Sequence, residues 1–78
     1  MMIANKIPDW SMAPNWANWV CMDGDRKTWN WFEFEPDYVS NKWMQGLEKG
    51  KYAACNEFIN KDNVILREPW NSLQHKPI

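Results

Sequence analysis

The chain has 78 residues, and its ten acidic and nine basic side chains leave a formal net charge of −1. This length predicts one domain, residues 1–78. A chain this short buries only about 60–65% of the surface that its unfolded form exposes, so it has room for a single, marginal core. The charge is too balanced for a protein that follows nucleic-acid phosphates, and no stretch approaches the roughly 20 apolar residues of a membrane span. We therefore expect no nucleic-acid partner and no membrane association.

Metal and disulfide chemistry depends on two cysteines, Cys21 and Cys55, and on one histidine, His75. Two thiols and one imidazole do not complete a tetrahedral zinc site without another ligand, so we expect no metal and no other cofactor. The N-terminal residues lack the apolar core of a secretory signal, which predicts a cytoplasmic protein with reduced cysteines. A Cys21–Cys55 disulfide is the alternative.

The N-terminal segment predicts an arm followed by a short turn. Residues 1–8 are expected to form the arm, since Pro8 pushes the residue before it toward extended geometry. Asp9 is typical of an N-cap and Pro14 of a stop signal, so the sequence predicts one helical or 3-10 turn near residues 9–13. Trp10, within this turn, is expected to cover the core.

Four of the seven tryptophans lie between residues 16 and 34. Two aromatic and β-branched runs, about 16–22 and 28–34, flank the sequence Asp23-Gly24-Asp25. This pattern predicts a β-hairpin whose loop contains Gly24 at positive φ. The buried rings of such a hairpin provide the interior of a small domain.

The register of this hairpin depends on the length of its loop. A three-residue loop places Trp19 opposite Trp29, whereas a two-residue loop places Val20 opposite Trp29. The sequence leaves both registers open.

The second arm of the hairpin carries two pairs of rings on opposite faces. Trp29 and Trp31 share one face by period-2 alternation, and Phe32 and Phe34 share the other. One pair must help to form the core, and the other either lies open to a partner or is covered by the terminal turns. Trp29, Trp31, Phe32 and Phe34 are therefore the candidate partner-binding residues.

Residues 38–49 fit two structures. Three apolar residues recur at helical spacing, but an internal glycine and the pair Ser40-Asn41 weaken a helix. We favour a third strand through Trp43, a turn near residues 46–50, and a further strand over residues 51–55.

The C-terminal third contains one apolar run and one turn signal. Residues 64–66 indicate an edge strand or a buried connector, Pro69 opens a helical turn near residues 69–74, and residues 75–78 are expected to form a tail. The whole pattern predicts a small β-rich domain, all-β or α+β, in which an antiparallel sheet built on the Trp-rich hairpin gains one or two further strands.

No group of residues suits catalysis. His75 has no rigid neighbour in sequence that would orient it as a general base. The segment Asp23-Gly24-Asp25 lacks the later oxygen ligands and final glutamate of a calcium loop. We therefore expect no enzyme activity.

Four short motifs follow one another along the chain. They are Asp9-Trp10-Ser11-Met12-Ala13-Pro14, then Trp16-Ala17 leading into a strand that ends at Asp23-Gly24, then Trp29-Asn30-Trp31-Phe32 closed by Pro36, and last Trp70-Asn71-Ser72-Leu73-Gln74-His75-Lys76-Pro77. With this pattern the chain resembles the small accessory proteins that tailed bacteriophages encode, except over about residues 37–66. The resemblance implies a protein of the infected bacterial cell without catalytic residues, and proteins of this kind often bind and block a host protein.

The sequence therefore predicts a non-enzymatic, phage-type accessory protein that binds and modulates or inhibits a host protein, in host takeover or anti-defence. One alternative is a small ligand-binding module that sequesters a nucleotide or a sugar through stacked tryptophans. Another is a structural protein that associates with itself as a homo-oligomer. The sequence leaves the partner, the oligomeric state and the exposed sheet face open.

Overall fold

The computed structural model describes residues 8–55 and 68–77, and these form two antiparallel sheets. The strands are β1 (Trp19–Met22), β2 (Trp29–Phe32), β3 (Pro36–Val39), β4 (Lys42–Gln45), β5 (Tyr52–Ala54) and β6 (Gln74–His75). Two 3-10 turns, Trp10–Met12 and Pro69–Asn71, lie near the ends of the described chain. The first sheet has the order β5-β2-β1-β6, and β3 and β4 form the second. The β-rich class, both helical turns and the addition of two further strands, β5 and β6, to the sheet of the first hairpin are confirmed, whereas the separate sheet of β3 and β4 was not predicted.

The first hairpin has a wider loop than either predicted register allows. Val20 lies opposite Trp31 rather than Trp29, and the loop closes where the Asp23 N–H donates to the Thr28 carbonyl at 2.9 Å. The Asp25 carboxylate stabilises this loop. It accepts hydrogen bonds from the backbone N–H groups of Lys27 and Thr28 and from the Thr28 hydroxyl. Both predicted registers are wrong because this side-chain network stabilises a longer loop.

The glycine of this loop does not adopt the predicted conformation. Arg26 has the positive φ, 64°, and Gly24 does not. Gly24 lies instead against the tip of the second hairpin, where its N–H donates to the Asn41 carbonyl at 2.9 Å. A Cβ at Gly24 would overlap that carbonyl oxygen, so the position needs a glycine for close approach.

The core lies on one face of the first sheet. Its buried side chains come from both arms of the hairpin and from the segments before and after it: Ala17, Val20, Met22, Trp29, Trp31 and Cys55. The Trp10 ring packs against the Trp31 ring with their centroids 5.0 Å apart. The first 3-10 turn therefore covers the core, as the sequence predicts.

The second sheet is a tight hairpin. Ser40 and Asn41 connect β3 to β4, and their φ values of 52° and 65° are those of a type I′ turn. The helical alternative for residues 38–49 is therefore wrong. The predicted strand through Trp43 is present as β4 but begins after this turn, and the predicted turn near residues 46–50 and strand over residues 51–55 are confirmed, the latter by β5. The β-turn chemistry of Ser40-Asn41 overrides the helical spacing of the apolar residues. Pro36 is tolerated because it is the first residue of its strand.

The C-terminal segment returns to the first sheet. The hydroxyl of Ser72 accepts a hydrogen bond from the Met22 N–H at 2.8 Å, and β6 then pairs with β1. The tail predicted for residues 75–78 is wrong at His75, which lies in this strand because the open edge of β1 offers backbone partners. The predictions for residues 1–7 and 64–66 fall outside the described residues.

Candidate functional site

The four candidate partner-binding residues do not form one exposed surface. Trp29 and Trp31 are core residues with exposed fractions of 3% and 2%. Phe32 lies on the opposite face of the sheet and is 3% exposed. Phe34 is half-buried. Partner binding through these residues stays a prediction, and their burial leaves little ring surface for it.

The second face of the first sheet carries a row of rings that crosses all four strands. Strand pairing aligns His75, Trp19, Phe32 and Tyr52, and we call this set the aromatic row. The Trp19 and His75 rings meet edge to face at 4.6 Å, and the Phe32 and Tyr52 rings lie nearly parallel at 5.8 Å. Tyr52 remains 61% exposed, so the row ends in an open aromatic surface.

A cleft of about 470 Å³ lies between this open ring and the second hairpin. Its lining combines aromatic, amide and charged side chains: Asp23, Asn30, Phe32, Lys42, Trp43, Met44, Gln45, Lys49 and Tyr52. The volume falls in the range of small-molecule pockets, about 300–1,000 Å³. Sequence reasoning missed the cleft because its two walls come from different sheets.

Asp23 and Trp43 fix the second hairpin beside the first sheet. One oxygen of the Asp23 carboxylate accepts from the Trp43 N–H at 3.1 Å, and the other accepts from the Asn30 amide at 3.1 Å. The Trp43 indole N–H donates to the Pro69 carbonyl at 3.0 Å. Asp23, predicted only as a turn residue, therefore holds one wall of the cleft.

Two amide side chains of the cleft have defined orientations. The Asn30 nitrogen must face Asp23, because a carboxylate only accepts hydrogen bonds. The Gln45 oxygen must face Gly50, whose N–H donates to it at 2.7 Å. These contacts leave the Asn30 oxygen as an acceptor and the Gln45 nitrogen as a donor within the cleft lining.

The cleft lining carries two lysines and one carboxylate. Lys42 is exposed, and within residues 8–55 and 68–77 no acidic oxygen lies in ion-pair distance of its ammonium group. Lys49 donates to the Gly46 carbonyl at 3.0 Å, so its charge is not neutralised there. The local charge is therefore about +1, opposite in sign to that of the whole chain.

The thiols and the histidine occupy structural positions. Burial raises the pKa of the Cys21 thiol far above its ordinary value, and the nearby Asp23 charge adds to this effect. Cys55 is buried in the core, and the His75 ring contacts Trp19 and the Lys76 carbonyl. A protonated, buried thiol is a poor nucleophile.

The described residues contain neither a cluster of metal ligands nor a membrane-spanning helix. Among them, no three His, Cys, Asp or Glu side chains lie close enough together to hold a metal ion. No helix in that part of the chain has the length and apolar character needed to cross a membrane.

A second group of exposed apolar side chains lies on the second hairpin and just after it, and one of its members, Met44, also lines the cleft. Val39, Met44 and Leu47 are 49%, 51% and 101% exposed, and we call these three residues the hairpin patch. Leu47 also lines a surface depression of about 280 Å³ together with three acidic residues, Glu35, Asp37 and Glu48. The surface therefore combines aliphatic side chains with an acidic border.

Comparison of the chain with protein-family models, curated proteins and solved structures finds no match. The resemblance to phage accessory proteins accordingly stays a prediction.

Proposed function

We propose that this protein is a non-enzymatic accessory protein that acts by binding another protein through the hairpin patch. The observation that carries the proposal is the exposure of three apolar side chains, two on the second hairpin and Leu47, fully exposed, just after it. Contiguous apolar side chains left open to water are typical of protein interaction sites. The phage setting implied by the sequence motifs makes a host protein the expected partner.

The acidic border of the patch defines the chemistry of that partner. Glu35, Asp37 and Glu48 surround the Leu47 depression. A complementary surface has an apolar centre that contacts Leu47 and lysine or arginine side chains around it. Rim charges of this kind mainly raise the association rate and depend on salt.

The exposure of Leu47 allows a test that leaves the fold intact. The immobilised protein is expected to retain one bacterial protein in stoichiometric amount, and Leu47→Asp is expected to lose it, because a carboxylate would be buried against an apolar surface. Trp70→Ser is the matched control, since Trp70 is also a large exposed apolar side chain, at 63%, but lies outside the patch. Recovery of no stoichiometric partner, or equal loss with both variants, contradicts the proposal.

Self-association through the same surface is a competing explanation for its exposure. Light scattering across a concentration series distinguishes the two. A monomer at all concentrations supports binding to a different protein. A dimer that Leu47→Asp disrupts assigns the patch to a second copy of the chain instead.

A further inference from the structure

We propose that the cleft between the aromatic row and the second hairpin binds a free mononucleotide. This inference does not rest on the proposed protein partner, because it depends on Tyr52, on the amide groups and on the lysines rather than on Leu47, although Met44 belongs to both surfaces. Three features of the lining support it: an open ring, an oriented pair of amide groups, and an excess of positive charge.

The open ring is Tyr52. One side of its ring is ordered by the near-parallel Phe32 ring, at an interplanar angle of 16°. The remaining ring surface accounts for the high exposure of the side chain. A flat ring held in a fixed plane stacks on a nucleobase with little loss of side-chain entropy.

The amide groups supply hydrogen bonds of both kinds. The Asn30 oxygen accepts and the Gln45 nitrogen donates, and each orientation is fixed by a hydrogen bond within the protein, to Asp23 and to Gly50. A nucleobase edge presents donors and acceptors in one plane, which such a pair can read. A purely apolar ligand would leave both groups unsatisfied, at a cost to binding.

The positive charge favours an anionic ligand. Lys42 and Lys49 line the cleft, whereas the carboxylate of Asp23 already accepts hydrogen bonds through both of its oxygens. Lysine ammonium groups bind phosphate as point charges. An uncharged sugar does not use this part of the lining, so the charge selects a nucleotide over a neutral ring compound.

The size and total charge of the protein favour a single nucleotide over a nucleic-acid strand. A cleft of about 470 Å³ accommodates one small molecule. A binding groove for a strand needs a track of basic side chains, and the chain has a net charge of −1.

The test is titration of the protein with AMP, GMP, CMP and UMP, followed by two-dimensional NMR and calorimetry. We expect at least one of these probes to shift the side-chain amide signals of Asn30 and Gln45 and the indole signal of Trp43. The corresponding nucleoside and ribose 5-phosphate are expected to bind more weakly, because each supplies only part of the contacts.

Two variants assign the binding to the cleft. Lys42→Gln is expected to weaken nucleotide binding about tenfold and nucleoside binding hardly at all, since only the nucleotide forms a charge-assisted contact. Tyr52→Ala is expected to weaken both by about tenfold through loss of stacking. Lys76→Gln is the matched control, because Lys76 is an exposed lysine beside β6, at the opposite edge of the sheet.

Three results would overturn the inference. The first is the absence of cleft shifts with all four mononucleotides at millimolar concentration. The second is binding that Lys76→Gln weakens as much as Lys42→Gln, which indicates nonspecific charge attraction. The third is tighter binding of a thymidine oligonucleotide than of any mononucleotide, which assigns the surface to single-stranded nucleic acid. None of these results depends on whether Leu47 contacts a protein.

Discussion

The hydrogen bond from the Gly24 N–H to the Asn41 carbonyl, 2.9 Å long, brings the loops of the two hairpins into backbone contact. Glycine is needed there for space, since its φ is not positive. A side chain at this position would meet backbone atoms, which yield less readily than a flexible side chain.

We predict that Gly24→Ala lowers the free energy of unfolding by about 2–3 kcal/mol, because the new methyl group forces the two loops apart. Gly50→Ala is the matched control, since its methyl group would meet side-chain atoms of Glu33 and Phe34. Urea denaturation of both variants measures the difference. A loss for Gly24→Ala no greater than that for Gly50→Ala contradicts the prediction.

Ser72 joins the second 3-10 turn to β1. Its buried hydroxyl accepts from the Met22 N–H at 2.8 Å and lies 2.7 Å from the Pro69 carbonyl, to which it can donate. We predict that Ser72→Ala costs about 1–3 kcal/mol of unfolding free energy, because a buried N–H loses its acceptor. Ser11→Ala, at an exposed serine, is expected to change stability by less than about 0.5 kcal/mol. Equal losses of stability for Ser72→Ala and Ser11→Ala in thermal unfolding would show that the Ser72 hydroxyl does not stabilise the fold.

The sequence predicts side-chain facing within the first hairpin but not side-chain exposure. Period-2 alternation places Trp29 and Trp31 on one face and Phe32 on the other, as found. Exposure depends on what covers each face, and Phe32 lies beside Tyr52 of β5 and lines the cleft against the second hairpin. Those neighbours are distant in sequence, so no local pattern identifies the open ring of the cleft.

The loop of the first hairpin is stabilised by one ionised side chain. Partial burial disfavours the charged form of Asp25, but hydrogen bonds from the Thr28 hydroxyl and from the Thr28 and Lys27 N–H groups, together with the Lys27 charge, outweigh this and hold its pKa below the usual value. A carboxyl whose pKa is lower in the folded state stabilises the fold fully above its unfolded pKa, about 3.9. That stability is lost as the pH falls through the folded pKa.

We therefore predict that wild type is more stable than Asp25→Asn at about pH 5, and that the difference shrinks as the pH falls below about 4. Urea denaturation of both proteins over this pH range measures the difference at each pH. A stability difference that stays constant as the pH falls would show that ionisation of Asp25 does not stabilise the loop.

Element boundaries were predictable where turn chemistry is local. Pro69 marks its 3-10 turn and Asp9 caps the first one, with its carboxylate accepting from the Ser11 N–H. The register of the first hairpin was not predictable, because the Asp25 network sets a loop length that the Gly24 signal does not reveal. β6 was missed because two residues carry no periodic pattern, and its pairing with β1 depends on an edge distant in sequence.

At the scale of the molecule, the two sheets share no strand among residues 8–55 and 68–77. In these residues the second hairpin is joined to the rest of the fold by hydrogen bonds to Asp23, Gly24 and Pro69. The same contacts position both walls of the cleft. The docking of the hairpin is therefore expected to open at a lower free energy than the core of the first sheet.

We predict that hydrogen exchange at the backbone N–H groups of Gly24 and Trp43 requires a smaller opening free energy than exchange within β1 and β2. Trp43→Phe is expected to lower that opening free energy by about 1 kcal/mol, because it removes the indole donor to Pro69 and keeps a ring. Hydrogen exchange followed by NMR measures both effects. Trp70→Phe, at an exposed indole, is the control, and identical opening free energies for hairpin and core amides contradict the prediction.

The pairing of Pro36 with Gln45 at the open end of the second hairpin has a practical consequence. The first and last residues of the segment are neighbours, and neither β3 nor β4 pairs with a strand of the larger sheet, so residues 36–45 can be exchanged as one unit. We expect hairpins of equal length to be accepted between Glu35 and Gly46, provided that they keep a tip carbonyl for Gly24 and a tryptophan at position 43 for Asp23 and Pro69. The first sheet then keeps its wall of the cleft, while each new hairpin changes the residues, and with them the binding specificity, of the other wall.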